Sequence, residues 1–145
     1  MNIKKITALL CAVVMVLSLA ACGSDSGDKA DGSKHYTIGI CQLVQHEALD
    51  AATKGFRDAI TDALGADNVT FDAQNAAGDS ATCATICNGF VSSGVDLILA
   101  NATGALQAAA AATKDIPILG TAVTEYGVAL GIGNFSGTVG GNISG

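Results

Sequence analysis

Hydrophobic and polar positions divide this chain into three stretches. Ile6 to Leu19 run almost without polar interruption. Residues 23–34 contain no large apolar side chain. From Tyr36 onward, apolar runs of strand length alternate with stretches of helical period. Tyr36–Cys41, Val69–Ala73, Val95–Ala100 and Ile116–Leu119 predict four buried strands. Glu47–Leu64 sets Leu49, Ala52, Phe56, Ile60 and Ala63 or Leu64 at helical spacing, and Gly65 behind it is a C-cap residue. Ser80–Ser93 predicts a second helix, with Asp79 or Ser80 as N-cap and Ala84, Cys87, Phe90 and Val91 facing inward. Thr103–Thr113 predicts an alanine-rich third helix, and Ala129–Ile132 a fifth strand. Strands alternating with helices imply right-handed crossovers and a parallel sheet covered on both faces. The fold class is therefore α/β, a doubly wound parallel sheet.

The N-terminal stretch reads differently. Lys4 and Lys5 give a short positive region, the apolar run follows, and small residues lead to Cys22 in Leu19-Ala20-Ala21-Cys22. The run is short for a membrane span, which needs about 20 apolar residues. The pattern looks like a bacterial lipoprotein signal peptide over residues 1–21, with Cys22 as the lipidated first residue of the mature chain. Two or more acyl chains hold a protein firmly to a bilayer, so the expected location is the extracytoplasmic face of the cell membrane. Residues 22–35 are the lipidated cysteine and a flexible linker that cannot bury anything. His35 adjoins that linker and is expected to be solvated. Residues 36–145 form the folded part.

Charge narrows the partners. Cleavage after Ala21 removes two of the seven basic residues and none of the thirteen acidic ones, leaving a formal charge of −8 over 124 residues. An acidic domain is a poor match for nucleic acid or for anionic lipid headgroups. Of five cysteines, Cys11 leaves with the signal and Cys22 is lipidated. Cys83 and Cys87 share one helix face, where two residues of a single helix rarely meet disulfide geometry. With only His35 and His46 as further soft ligands, Cys41, Cys83 and Cys87 read as small buried apolar residues, and no metal is expected.

In parallel α/β sheets, ligands bind outside the carboxyl ends of the strands. Those ends carry Gln42 with His46 beyond it, Asn75, Asn101 with Thr103, and Thr124 with Glu125. Thr103 and the amides behind it suit a carboxylate, since a helix N-terminus carries free N–H groups and partial positive charge. Thr103 as a plain N-cap is compatible with that role. Glu125 is a candidate partner for an ammonium group or a solvated loop acid. His46 is placed to cap the first helix, pack, or line the cleft. No Gly-x-Ser-x-Gly elbow or phosphate-binding Gly-x-x-x-x-Gly-Lys loop is present, so neither an enzyme nor a cofactor is expected.

Ile38-Gly39-Ile40-Cys41-Gln42-Leu43-Val44-Gln45-His46, followed by Ala48-Leu49-Asp50-Ala51-Ala52 and Gly55-Phe56, resembles the opening of a family of ABC-transporter substrate-binding lipoproteins. That family has the type I periplasmic-binding-protein fold and includes tryptophan and aromatic amino-acid receptors. Gln74-Asn75-Ala76, Asp96-Leu97-Ile98, Lys114-Asp115-Ile116-Pro117-Ile118, Ala122-Val123-Thr124 and Gly141-Asn142-Ile143-Ser144-Gly145 extend the resemblance to the end of the chain. It implies a receptor that captures a small amino-acid-like, aromatic ligand for a membrane permease and its ATPase, without covalent chemistry. By resemblance, Asn101–Thr103 and Ala122–Thr124 hold the ligand's charged end, and Gln42 and Asn75 line the cleft. Glu125-Tyr126 stand where the family usually has Asp-Pro. Receptors of this kind need about twice this length, so residues 36–145 are expected to be one lobe, truncated before the second. Tight sites bury 70–90% of a ligand, so one lobe alone is expected to bind weakly. A different reading is a membrane-tethered sensor or interaction module that uses the same lobe without transport.

Overall fold

Ile38 and Ile40 leave one side of the first strand, and Gly39 and Cys41 leave the other. That alternation organises the fold, because each set meets a different helix layer. The computed structural model describes residues 34–145. The expected signal peptide, Cys22 and the expected linker up to residue 33 lie outside the described residues. His35 is exposed as expected, and its ring contacts Asp67 O and Thr70 Oγ1 (3.1 and 2.8 Å).

In chain order the elements are β1 (Tyr36–Gln42), α1 (Glu47–Leu64), a 3-10 turn (Ala66–Asn68), β2 (Val69–Asn75), α2 (Ser80–Ser93), β3 (Leu97–Asn101), α3 (Thr103–Ala112), β4 (Ile118–Thr121), α4 (Tyr126–Leu130) and β5 (Ile143–Ser144). All strand pairs are parallel and the sheet order is β2-β1-β3-β4-β5. The expected doubly wound α/β sheet is present.

The two faces are covered unequally. On one, α2 and α3 seal a core of Phe90, Ile98, Leu106, Ile118 and three cysteines. On the other, Ile38, Ile40, Val69 and Leu99 meet Phe56 and Ile60 of α1, a helix with no fully buried residue. Leu97, Leu119 and Ile143 border an apolar groove of about 380 Å³ beside α1.

Local signals explain the helix ends. The Asp79 carboxylate accepts from Ala81 N, Thr82 N and Thr82 Oγ1 and so caps α2. Those bonds, led by the Thr82 hydroxyl, hold its pKa below the usual carboxylate value. Gly65 ends α1 at φ +86° with its N–H on Thr61 O (2.8 Å), and Gly94 ends α2 in the left-handed region.

Two expectations are corrected. The predicted strand at Ala129–Ile132 is not one: residues 126–130 are helical, the Glu125 side chain caps them, and Gly131 stops the turn at φ +66°. The fifth strand is Ile143–Ser144 instead. On α2 the buried stripe is Cys83, Ile86, Cys87 and Phe90, while Ala84 is exposed and Val91 half-buried. The helix is therefore rotated by about one residue from the predicted face.

Candidate functional site

The chain builds β2 on one side of β1, then crosses over to build β3 on the other. The order in which strands are added thus reverses between β1 and β3, with every pair still parallel. A crevice opens outside the carboxyl ends of the strands at such a switch point, because the flanking connections diverge to opposite faces. Gln42 and Asn101, paired in register, mark that point.

Backbone bonds lace the rim together. Leu43 N donates to Asn101 O (3.1 Å), and Ala102 N to Thr121 O (2.9 Å). On the β2 side, Ala76 N donates to Gln42 O (2.9 Å) and Gly78 N to Leu43 O (2.7 Å). The four strand ends therefore form one connected ledge rather than independent loops. Three loops on that ledge hold a non-glycine residue at positive φ: Ala77 (+52°), Ala102 (+90°) and Ala122 (+53°). Ala102, at φ +90° and ψ +161°, occupies a region essentially reserved for glycine. Such a backbone costs of order 1–3 kcal/mol and tends to cluster at ligand sites.

That strained residue precedes α3, whose N-terminus differs from its neighbours. His46 Nδ1 accepts from Ala48 N and caps α1, Asp79 caps α2 and Glu125 caps α4. No side chain caps α3. Its first intrahelical bond runs from Leu106 N to Ala102 O (3.0 Å), so the amides of Thr103, Gly104 and Ala105 sit ahead of the ladder at the positive end of the helix dipole. Thr103 Oγ1 accepts from Thr124 N at 3.4 Å, which brings the β3 and β4 loops to one spot. Gly104 lets Leu43 lean over the first turn: a Cβ there would lie 3.2 Å from Leu43 Cδ1. The arrangement presents amides and a hydroxyl to an anion, with apolar cover from the β1 loop.

The remaining sequence candidates divide by role. Gln42 is 7% and Asn101 0% exposed, and both side chains turn toward α1. Thr53 Oγ1 donates to Gln42 Oε1 (2.7 Å) and accepts from Asn101 Nδ2 (2.9 Å). Gln42 Nε2 donates to Asp50 Oδ1 (2.6 Å) and Val44 O (3.0 Å), and Asn101 Nδ2 to Leu49 O (2.8 Å). Asn101 Oδ1 is buried without a hydrogen-bond partner. Asp50 and Thr53, which sequence reasoning missed, thus tie two strand ends to the first two turns of α1.

Glu125 accepts from Gly127 N (2.7 Å) and Val128 N (2.5 Å), one amide per carboxylate oxygen. Its carboxylate therefore caps α4, a role that the readings as an ammonium partner or a solvated loop acid did not include. Asn75 is exposed at the end of β2, where its Oδ1 accepts from Ala77 N (2.8 Å) in an Asx turn. Thr124 is exposed beside Thr103, and His46 is an exposed cap.

A cleft of about 350 Å³ lies behind the network, lined by Gln42, Asp50, Thr53, Lys54 and Arg57 among others. Lys54 is paired with Asp58 and Arg57 stacks on Phe71, so its cations are already engaged. Among the described residues, no group of three His, Cys, Asp or Glu side chains is set to hold a metal ion. No described helix is long and apolar enough to cross a membrane.

Residues 37–145 match the model of the ABC transporter substrate binding protein family. The chain belongs to this family. It is 43% identical over 152 residues to a tyrosine-binding protein of Clostridioides difficile strain R20291, with 98% of this chain and 44% of that protein covered. Two solved substrate-binding relatives share the fold. One is the ligand-free, open structure of a substrate binding protein with adhesive properties from Clostridium difficile (TM-score 0.68, 44% identity, 75% of this chain and 37% of that one). The other is an ABC domain in complex with L-Trp from Streptococcus pneumonia (TM-score 0.69, 34% identity, 77% and 38%). The chain spans less than half the length of these relatives. The lobe described here is thus a periplasmic-binding-protein lobe of this family, as the sequence resemblance implies.

Proposed function

We propose that this chain supplies one wall of a receptor that captures an aromatic amino acid and passes it to a membrane permease driven by an ATPase. The observation that carries the proposal is the uncapped N-terminus of α3, held at the switch point between Ala102 and Thr124. The ligand carboxylate is received by the amides of Thr103, Gly104 and Ala105 with the Thr103 hydroxyl. Leu43 covers the apolar side. Gln42, Asn101, Thr53 and Asp50 act as positioning residues that fix the ledge. The tyrosine-binding and L-Trp-bound relatives support the ligand class. Capture and release involve no covalent chemistry.

An amide-resolved NMR titration tests the site. The chain has no Trp, so aromatic ring signals of added L-tryptophan are free of overlap from Trp side chains. One wall of a cleft should bind in the millimolar range, about −4 kcal/mol. L-tryptophan and indole-3-propionate, which both carry a carboxylate, are expected to shift the amides of Thr103, Gly104, Ala105 and Thr124. Tryptamine, which lacks it, is expected to leave them in place. Equal shifts with tryptamine, or none with L-tryptophan, would refute the assignment.

The delivery step requires residence at the membrane, and here the proposal rests on the sequence of residues 1–34. Cys22 carries the lipid and the linker holds the lobe just off the bilayer. In a bacterial host, Cys22→Ser is expected to move the chain from the membrane pellet to the soluble or secreted fraction. Retention of the variant in the pellet would count against lipidation at Cys22.

A further inference from the structure

Three thiols meet beneath the ledge, outside every contact assigned to the ligand site. Cys41 stands on β1, one residue before Gln42. Cys83 and Cys87 occupy successive turns of α2. All three are free thiols with no exposed surface, and all lie in one core cluster with Phe90 and Ala105. Gly39, two residues before Cys41 on the same face of β1, has Phe90 of α2 directly over it, so Cys41 faces the turns of α2 that precede Phe90.

Topology restricts what these thiols can do. Cys83 and Cys87 lie four residues apart on one helix, where both side chains lean the same way and rarely satisfy disulfide geometry. Cys41 approaches from a different layer, so any disulfide in this cluster has to use it. The two candidate partners are not equivalent. Cys41 lies about 6.6 Å along β1 beyond Gly39, and on the returning α2 Cys87 lies about 4.5 Å and Cys83 about 10.5 Å before Phe90, so Cys87 is nearer the level of Cys41. Proximity to Cys41 lowers the Cys87 pKa, which agrees with that pairing because the thiolate is the nucleophile.

We propose that Cys41 and Cys87 form an oxidation-dependent disulfide that staples β1 to α2, leaving Cys83 a thiol. Two Sγ–H bonds break and one Sγ–Sγ bond forms. Two electrons and two protons pass to the oxidant, which is a diazene or a small-molecule disulfide. The staple closes a loop of about 46 residues containing all of α1 and β2, so it constrains the unfolded chain over a long span. Its strand end is adjacent to Gln42, so oxidation also stiffens the β1 side of the ledge.

The experiment uses the full chain and diamide, whose N=N bond takes up the two electrons and two protons to give the hydrazine. One sample is oxidised folded and a second during refolding from urea, before the core closes. Both are alkylated under denaturing conditions and cut with trypsin. Cleavage after Lys34, Lys54, Arg57 and Lys114 puts Cys41 in peptide 35–54 and both α2 cysteines in peptide 58–114. The expected product joins these two peptides, with the alkyl group on Cys83. Cys83→Ala is expected to leave the link intact. The oxidised chain should melt roughly 5–15 °C higher, reversibly with dithiothreitol. The proposal is overturned if both samples return separate peptides alkylated at all three cysteines. It is equally overturned if the linked peptide carries the alkyl group on Cys87, or if Cys83→Ala abolishes the link.

Discussion

Replacing Gly39 with alanine is expected to destabilise the domain by about 2–4 kcal/mol, read as a lower urea midpoint at unchanged slope. Gly39 sits in the middle of β1 with Phe90 of α2 directly over it. A Cβ at that position would lie 2.6 Å from Phe90 Cδ2, 2.7 Å from Cγ and 3.0 Å from Cδ1. Phe90 has no exposed surface, so its ring cannot swing into solvent. Relief requires α2 to lift from the sheet, and α2 carries Cys83, Ile86 and Cys87 in the same core. Interiors packed at crystal density do not yield locally to such an insertion. The clash has a specific partner, which makes the account testable by a double-mutant cycle. Phe90→Leu alone should destabilise by leaving a void. In the double variant Gly39→Ala/Phe90→Leu, the added methyl occupies part of that void. The two effects should therefore sum to less than their separate losses, by about 1 kcal/mol or more. Strict additivity would show that Phe90 is not what Gly39 accommodates.

Gly39 also marks what the sequence discloses and what it hides. The strand around it was legible because the run Tyr36–Cys41 has strand length and composition. The need for glycine was not, because it depends on a residue 51 positions away. Helix ends that use the commonest chemistry were equally legible: Asp79 before Ser80–Ser93 and Gly65 after Glu47–Leu64 both do what their types favour. The capping role of Glu125 is not legible, because Glu is not among the preferred N-caps. The same cap begins α4, so one unrecognised feature accounts for a helix where a strand is predicted. Ile143–Ser144 is too short to leave a periodic signal. The open N-terminus of α3 was visible as a Thr103-Gly104-Ala105 helix start. The backbone strain at Ala102 was not, since alanine is the wrong residue from which to predict a glycine-only conformation.

The resemblance implies Gln42 as a cleft-lining residue and Asn101 at the ligand's charged end, and strand alternation adds the direction their side chains take. Gln42 shares the parity of Ile38 and Ile40, and Asn101 that of Leu97 and Leu99, so both belong to the face that α1 covers. The consequence is a large effect at Asn101. Asn101→Asp is expected to cost more than about 3 kcal/mol at pH 7, and more than Asn101→Ala. The Asn101 amide nitrogen donates to Leu49 O and Thr53 Oγ1. A carboxylate oxygen in its place has no proton for the Leu49 carbonyl. It would be drawn to the Thr53 hydroxyl, which now donates to Gln42. The charge would sit at a position with no exposed surface, where desolvation raises a carboxyl pKa. The sign of the pH dependence follows. The unfolded chain titrates near 3.9 and the folded variant higher, so between those values the folded state binds more protons. The penalty is therefore small below about pH 4, grows as pH rises through the folded pKa, and is complete above it. Urea midpoints of wild type and variant at pH 4, 5.5 and 7 check this, with wild type correcting for every other titrating group. Asn101→Ala should show a gap from wild type that is flat across the same range, because it introduces no titrating group. A flat gap for Asn101→Asp as well would mean that this position is wet, and that the tie between β1, β3 and α1 is looser than its hydrogen bonds indicate.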